Sequence, residues 1–283
     1  MSGIIDGKAV AEAVYAGLRS RIESLELMGV KPCLCLVLVG KDEYSERYIG
    51  IKAKRAKALG MQVRVFKLPE YTEQGELIGM IRDLNGDSTV HGILVQLPLP
   101  SHIDQHAVIG ELNPEKDVDG FHPESSGRLM IDLPSIPPCT PRGIIELIKS
   151  TGKEISGMHA VVIGRSMVVG RPTAMLLTNE DATVTLCHSK TYELSRFTKE
   201  ADVIVSATGR PGLINAEMVK SGAIVIDVGN STVNGKLVGD VDFESVSEKA
   251  GFITPVPGGV GPMTIAMLMQ NTVEAAELKA GIK

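Results

Sequence analysis

The sequence predicts an α/β protein of two domains, each a mostly parallel sheet covered by helices on both faces. Three observations predict it. The chain has 283 residues, about twice the usual domain length. Short, nearly continuous apolar runs alternate with helical patterns, as strands buried on both faces of a parallel sheet do. The alternation also comes in two series, parted by a loop-rich stretch from Pro98 to Pro141.

The elements follow in order. A helical pattern over 8–28 leads into the strand "PCLCLVLVG" (32–40). Helices over 43–59 and 73–84 flank "MQVRVFKL" (61–68), and "VHGILVQLPLP" (90–100) ends the first series. After the loop-rich stretch comes a helix at 142–150. The second series is "HAVVIG" (159–164), "ATVTLC" (182–187), "DVIVSA" (202–207) and "GAIVIDVG" (222–229). "ITPVPGGVGPMT" (253–264) is a stiff, bare loop ahead of a last helix at 265–280, which no strand follows. That helix can return to the first domain. The expected division is therefore 1–120 plus 265–283 as the first domain and 141–264 as the second, with 121–140 as linker.

Composition excludes several classes. With 43% hydrophobic and 22% charged residues the chain can bury ordinary globular cores, and its formal net charge of −5 gives no basic footprint for nucleic acid. No apolar run approaches the ~20 residues of a membrane span, and "MSGIIDGKAV" lacks the shape of a signal peptide. Cys33, Cys35, Cys139 and Cys187 are spaced for neither a zinc site nor a disulfide framework. A cytoplasmic protein without a metal site is expected.

"VVIGRSMVVGRPTAMLL" reads as strand, tight turn and helix. Gly164, Ser166 and Gly170 stand where a Rossmann-type turn needs small residues to approach a pyrophosphate, although the spacing departs from G-x-G-x-x-G. An NAD enzyme places Asp or Glu at the end of the following strand, for the ribose 2′-hydroxyl. Here that end reads Cys187, His188, Ser189, Lys190. With Arg165 in the turn, a hydroxyl and two cations favour the 2′-phosphate of NADP; the alternative is that Arg165 and Lys190 are solvated loop residues.

Ser45, Tyr48 and Lys52 share one face of the helix "EYSERYIGIKAKRAKALG". They can stack a flat substrate and move a proton, or Lys52 can belong with Lys54, Arg55 and Lys57 to a solvated basic face. Gln96 sits at the carboxyl end of a buried strand, where open α/β sheets bind ligands; the alternative is a strand-end amide that satisfies backbone groups. Asp117 and Asp119 in "PEKDVDGF" can pair with adjacent N–H donors of a heterocycle, form a turn, or make a weak cation site.

Taken together, Tyr48-x-x-x-Lys52, "VQLPLP", "PEKDVDGFHP", "PCTPRG", "VVIGRSMVVGRP", "LCHSKT", "GAIVIDVG", "GKLVGDVDF" and "TPVPGGVGPMT" closely resemble, in order along the chain, the bifunctional methylenetetrahydrofolate dehydrogenase / methenyltetrahydrofolate cyclohydrolase family. The resemblance implies a folate domain and an NADP domain flanking a cleft, usually in a homodimer, and tetrahydrofolate one-carbon derivatives as substrates. It makes Lys52 the catalytic lysine and Gln96 its partner. Asp119 grips the pterin and Tyr48 is the surface on which the folate lies. Pro257, Gly258 and Gly259 become the backbone lining the folate pocket beside the nicotinamide. Gly164, Arg165, Ser166, Gly170, Ser189 and Asn230 become cofactor contacts.

Some positions depart from the family pattern. "KDEY" (41–44) replaces a stretch often containing Asn and Pro, Met167 takes a commonly polar position, Ser125 stands where Asn is frequent, and "DVGNST" shortens the loop that carries Asn230. These bear on cofactor affinity and on the balance of the two activities. A shikimate-type dehydrogenase also pairs an α/β substrate domain with a Rossmann domain, yet does not call for Tyr48, Lys52, "VQLPLP" and "DVDG" together. A nucleotide-sensing protein without catalysis does not require Lys52.

Overall fold

The computed structural model describes residues 3–282. In chain order the elements begin with β1 (Gly3–Ile4), α1 (Gly7–Leu27), β2 (Cys33–Val39), α2 (Glu43–Ala58), β3 (Gln62–Leu68), α3 (Gln74–Gly86) and β4 (Gly92–Val95). Helices α4 (Gln105–Gly110), α5 (Pro123–Met130) and α6 (Cys139–Lys149) precede β5 (His159–Ile163), α7 (Gly170–Asn179), β6 (Thr183–Cys187), α8 (Leu194–Thr198) and β7 (Val203–Ser206). The chain continues with β8 (Ile224–Asp227), β9 (Ser231–Val233), β10 (Lys236–Val238), α9 (Phe243–Ser247), β11 (Phe252–Ile253) and α10 (Val260–Lys279).

Two compact units result, one of residues 14–139 with 268–283 and one of 1–13 with 140–267. The first holds a parallel sheet in the order β3-β2-β4. Its central strand, "CLCLVLV", is buried at every position, whereas edge strand β3 holds only exposed and half-buried residues. Leu77 and Ile81 of α3 pack with Val37 and Ile93 in its core. Lys116 is itself buried, and its ammonium donates to the carbonyls of Leu84, Asn85 and Asp87 at 3.0, 2.6 and 2.8 Å, closing the end of α3. In the same unit Arg21 of α1 makes a two-pronged bond to Glu277 of α10, both contacts 2.7 Å.

The other unit holds a six-stranded parallel sheet in the order β1-β11-β8-β7-β5-β6, with Val161, Ile204 and Val225 in its core. Sequence order reverses at β5, which lies between β6 and β7. Ligands bind outside the strand ends at such a switch point.

Several expectations need correction. Residues 3–4 do not belong with the first sheet: β1 pairs in parallel with β11, Gly3 N donating to Gly251 O and Ile5 N to Ile253 O, each at 2.8 Å. A strand of two residues has no periodicity to read. The stretch expected to be a linker carries α5 and the start of α6; α5 is opened locally, with Pro123 in its first turn and His122 Nδ1 accepting from Glu124 N. The last helix begins at Val260, not 265, because a proline such as Pro262 is tolerated in a first turn, where its missing N–H costs no bond. The strand expected over 90–100 ends at Val95, ahead of Pro98 and Pro100. Among the described residues no helix is long and apolar enough to cross a membrane, and no three His, Cys, Asp or Glu residues are grouped to hold a metal ion.

Candidate active site

In the three-stranded unit the candidate site gathers at the carboxyl end of β4. Helix α2 starts at Asp42, whose carboxylate accepts from Ser45 N at 2.7 Å. That start sets the helical phase that buries Ser45, Ile49, Lys52 and Ala56. Lys52 therefore parts from the basic face to which its neighbours belong: it is 7% exposed, Lys54 and Lys57 face solvent, and Arg55 lies 4.4 Å over the Tyr15 ring. The Lys52 ammonium donates to Gln96 Oε1 at 3.0 Å, while Gln96 Nε2 donates to Leu97 O at 2.8 Å. A carbonyl can only accept and an ammonium can only donate, so these two partners fix which way the amide faces.

Asp119 joins the pair electrostatically. Burial raises its carboxyl above the ordinary value, and the Lys52 charge is the first influence opposing the rise, followed by the Cys139 thiol. Tyr48 is half-buried one turn before Lys52, with its ring centroid 4.6 Å from that of Tyr44. Tyr44 had no role in the sequence reading; its i, i+4 spacing to Tyr48 was the available signal.

Of the roles the sequence leaves open to Asp117, the structure favours the turn former. It is 1% exposed, and its carboxylate accepts from Gly120 N at 3.2 Å and His122 N at 2.7 Å. Ile93 N donates to Lys116 O at 2.7 Å, so this segment runs beside β4. Asp117 thus clasps the turn on which Asp119 stands. Burial foremost, with the nearby Asp119 charge, pushes its carboxyl up to about 6 against the backbone bonds that lower it.

In the six-stranded unit Gly164, Arg165 and Ser166 stand in the turn between β5 and α7, and Gly170 opens α7. Gly164 has φ +119°, and a Cβ there would stand 2.2 Å from Ala207 O; a Cβ on Gly170 would stand 1.9 Å from Gly164 O. The turn's own backbone already demands both glycines. Ser166 Oγ accepts from Val169 N and Gly170 N at 3.2 and 3.4 Å, so the residue in place of the second glycine helps start α7. The register Ile163↔Cys187 makes Arg165 and Ser189 leave neighbouring strand ends. Ser189 and Lys190 form the exposed tip of a turn closed by His188 N to Thr191 Oγ1 and Thr191 N to His188 O, each 2.8 Å. Arg165 is exposed as well, so this end offers donors and no carboxylate. That donor set fits a phosphate dianion.

Asn230 is exposed just before the β9–β10 hairpin, which the sequence reading did not foresee. Asn234 and Gly235, with φ 51° and 75°, turn that hairpin. The loops around it hang on two buried aspartates that the quoted motifs contained without an assigned role. Asp227 accepts from Gly229, Asp240 and Val241 N–H groups at 2.8, 2.9 and 3.0 Å. Asp240 accepts from Ser206 Oγ, Thr208 N and Thr208 Oγ1 at 3.0, 2.6 and 2.9 Å. An acid closing the apolar strand "IVID" was the available signal. Burial raises the Asp227 carboxyl to about 6, with Asp240 adding to the rise.

Pro257 is exposed, Gly258 half-buried and Gly259 buried. A Cβ on Gly7 would stand 1.8 Å from Gly259 O, so part of the bareness of "PVPGGVG" is the close fit of this loop against the start of α1.

Residues 5–119 match the catalytic domain of tetrahydrofolate dehydrogenase/cyclohydrolase, and residues 138–280 match the NAD(P)-binding domain of the same enzyme. The chain is 53% identical over 277 residues to the bifunctional protein FolD of Exiguobacterium sibiricum, covering 98% of this chain and 100% of that one. It is similar to the crystal structure of the FolD methylenetetrahydrofolate dehydrogenase/cyclohydrolase of Campylobacter jejuni, with a TM-score of 0.97 and 46% identity over 98% of this chain and 99% of that one. The Trypanosoma brucei dehydrogenase-cyclohydrolase, complexed with NADP and an inhibitor, gives a TM-score of 0.94 and 41% identity over 99% and 98%. With both domains matched in sequence and in fold, the chain belongs to the tetrahydrofolate dehydrogenase/cyclohydrolase family.

Proposed function

We propose that the chain oxidises 5,10-methylenetetrahydrofolate to the 5,10-methenyl form with NADP⁺ and hydrolyses that product to 10-formyltetrahydrofolate. The observation that carries this reading is the buried Lys52 bonded to Gln96 and in electrostatic reach of Asp119, inside the segment matching the catalytic domain. NADP⁺, when held at the β5–α7 turn, would supply the hydride acceptor. The nitrogen beside the one-carbon unit supplies the electrons for hydride loss, so the protein's task in that step is placement, which alone accounts for large rate factors. Tyr48 carries the flat ring system, and Asp119 takes paired hydrogen bonds from the pterin. The main chain at Pro257, Gly258 and Gly259 lines the folate beside the nicotinamide.

In the second step water adds to the methenyl carbon. Its oxygen forms the new C–O bond, Lys52 relays the proton released, and the ring nitrogen takes up a proton as its C–N bond breaks. Gln96 holds the amine where that relay needs it. Gly164, Ser166 and Gly170 shape the pyrophosphate turn, Arg165 and Ser189 take the 2′-phosphate, and Asn230 stands on the nicotinamide side. Residues 1–120 with 265–283 are proposed to bind folate and 141–264 the cofactor, apart from β1, which belongs to the larger sheet. The reading includes a homodimer in the cytoplasm; none of the four cysteines is in a disulfide, as a reducing compartment requires.

The test is purified protein with methylenetetrahydrofolate and NADP⁺, followed separately for NADPH and for methenyl-folate absorbance. NADPH should form without matching accumulation of the methenyl species. Stoichiometric accumulation would remove the hydrolase, and no NADPH would remove the dehydrogenase.

A further inference from the structure

The amino ends of β2, β3 and β4 lie at the opposite edge of the three-stranded sheet from Gln96. A cavity of about 370 Å³ opens there, lined by Lys31, Gln62, Thr89, His91 and Lys279 among others. Strand length alone separates it from the folate site.

His91 is the buried donor of this cavity. It is 7% exposed, and its Nδ1 accepts from Cys33 N at 3.2 Å. A backbone N–H can only donate, so Nδ1 carries no proton and the neutral ring holds its proton on Nε2. Among the described residues that Nε2–H has no hydrogen-bond partner in the protein. Burial, then the charges of Lys279 and Lys116, holds the imidazole down to about 4, with Asp87 opposing weakly. The ring is therefore neutral at pH 7 and presents a single, oriented donor.

The charges around it are unbalanced. Two acids stand near the cavity and both are engaged, Glu26 by Lys31 at 3.7 Å and Asp87 by Arg64 at 2.6 Å. Lys116 and Lys279 have no carboxylate partner among the described residues. Lys116 is spent on three carbonyls, while Lys279 donates to Ser88 O. An anion at His91 would thus meet two surplus positive charges and a preset N–H, the complement of a dianion. The volume exceeds that of an oxyanion alone and falls at the low end for small-molecule pockets.

We propose that this cavity is a second ligand site, taking a phosphate dianion, free or as a small phosphomonoester, through His91 Nε2–H and the Lys279 ammonium with Lys31 at its mouth. The experiment follows the imidazole NMR signals of the ¹⁵N-labelled full chain, with the His91 signal assigned by its loss in His91→Gln. Inorganic phosphate and glycerol 3-phosphate are titrated separately in constant chloride. The His91 signal should shift saturably and its pKa should rise toward the ordinary histidine value. Lys279→Ala should weaken binding by about tenfold or more, as loss of a charge-assisted bond requires. Tighter binding of glycerol 3-phosphate identifies an organic monoester as the ligand, and tighter binding of inorganic phosphate identifies the free ion. No saturable shift, a shift reproduced by added chloride, or an undiminished response in Lys279→Ala overturns the site.

Discussion

Lys52 Nζ and Gln96 Oε1 are 3.0 Å apart, and the proposed proton relay rests on that amine rather than on the ring contacts. Lys52→Gln should lower methenyl hydrolysis by about 10²–10⁴-fold, the usual span of a positioned acid–base group, while folate binding stays measurable. Retention of most hydrolysis would remove Lys52 from the mechanism. Asp119 is proposed to serve both steps through the shared pterin, so Asp119→Ala should cut kcat/KM for both by about tenfold or more. A loss confined to one step would show that it is no common anchor. In the proposed cofactor site Arg165 is the strongest donor available to a 2′-phosphate. Arg165→Ala should weaken NADP⁺ and leave NAD⁺ nearly unchanged in kcat/KM, eroding the preference for NADP⁺. Equal loss of both would place Arg165 with the pyrophosphate or the fold.

At the scale of elements, the β5–α7 turn is a packing device as well as the proposed cofactor cradle. A methyl on Gly170 would stand 1.9 Å from Gly164 O, so Gly170→Ala must push the turn open. Dehydrogenase activity should fall by more than tenfold, as about 1.4 kcal/mol of displaced contact suffices for that factor. Hydrolysis of supplied methenyltetrahydrofolate should fall much less; parallel loss in the two assays would mean that the turn is needed for folding as a whole. Lys116 and Asp117 play the corresponding part in the other unit, one closing α3 and the other clasping the Asp119 turn. A reading of periodicity finds the helices and strands these groups serve, but not the groups themselves, because their partners are backbone atoms distant in sequence.

Across the whole molecule, each unit contains one buried carboxylate raised to about 6, Asp117 and Asp227. Between the unfolded carboxylate value near 4 and the folded value near 6, the unfolded state binds fewer protons than the folded one. The stability these groups contribute is thus fully present below about pH 4 and is lost as pH rises through about 6. Urea midpoints of Asp117→Asn and Asp227→Asn, compared with the parent at pH 4 and pH 7, should show the parent's advantage shrinking at the higher pH. An advantage that grows toward pH 7 would reverse the assignment.

The sequence by itself determined the two α/β series, the long helices, the turn at Gly164–Gly170, the acid-free end of β6 and the family, because each is written in local periodicity or in contiguous motifs. It also singled out Lys52, Gln96 and Asp119, although spacing left Lys52 between a catalytic and a solvated reading. Only the tertiary structure separated Lys52 from its basic neighbours, since burial depends on which face of α2 meets the sheet. It alone moved residues 3–4 into the larger sheet, through hydrogen bonds to a strand some 250 residues away. It alone gave Asp227 and Asp240 their tasks, decided among the roles open to Asp117 and placed His91 beside Lys279, because charge, burial and a shared donor become visible only when segments far apart in the chain are folded together.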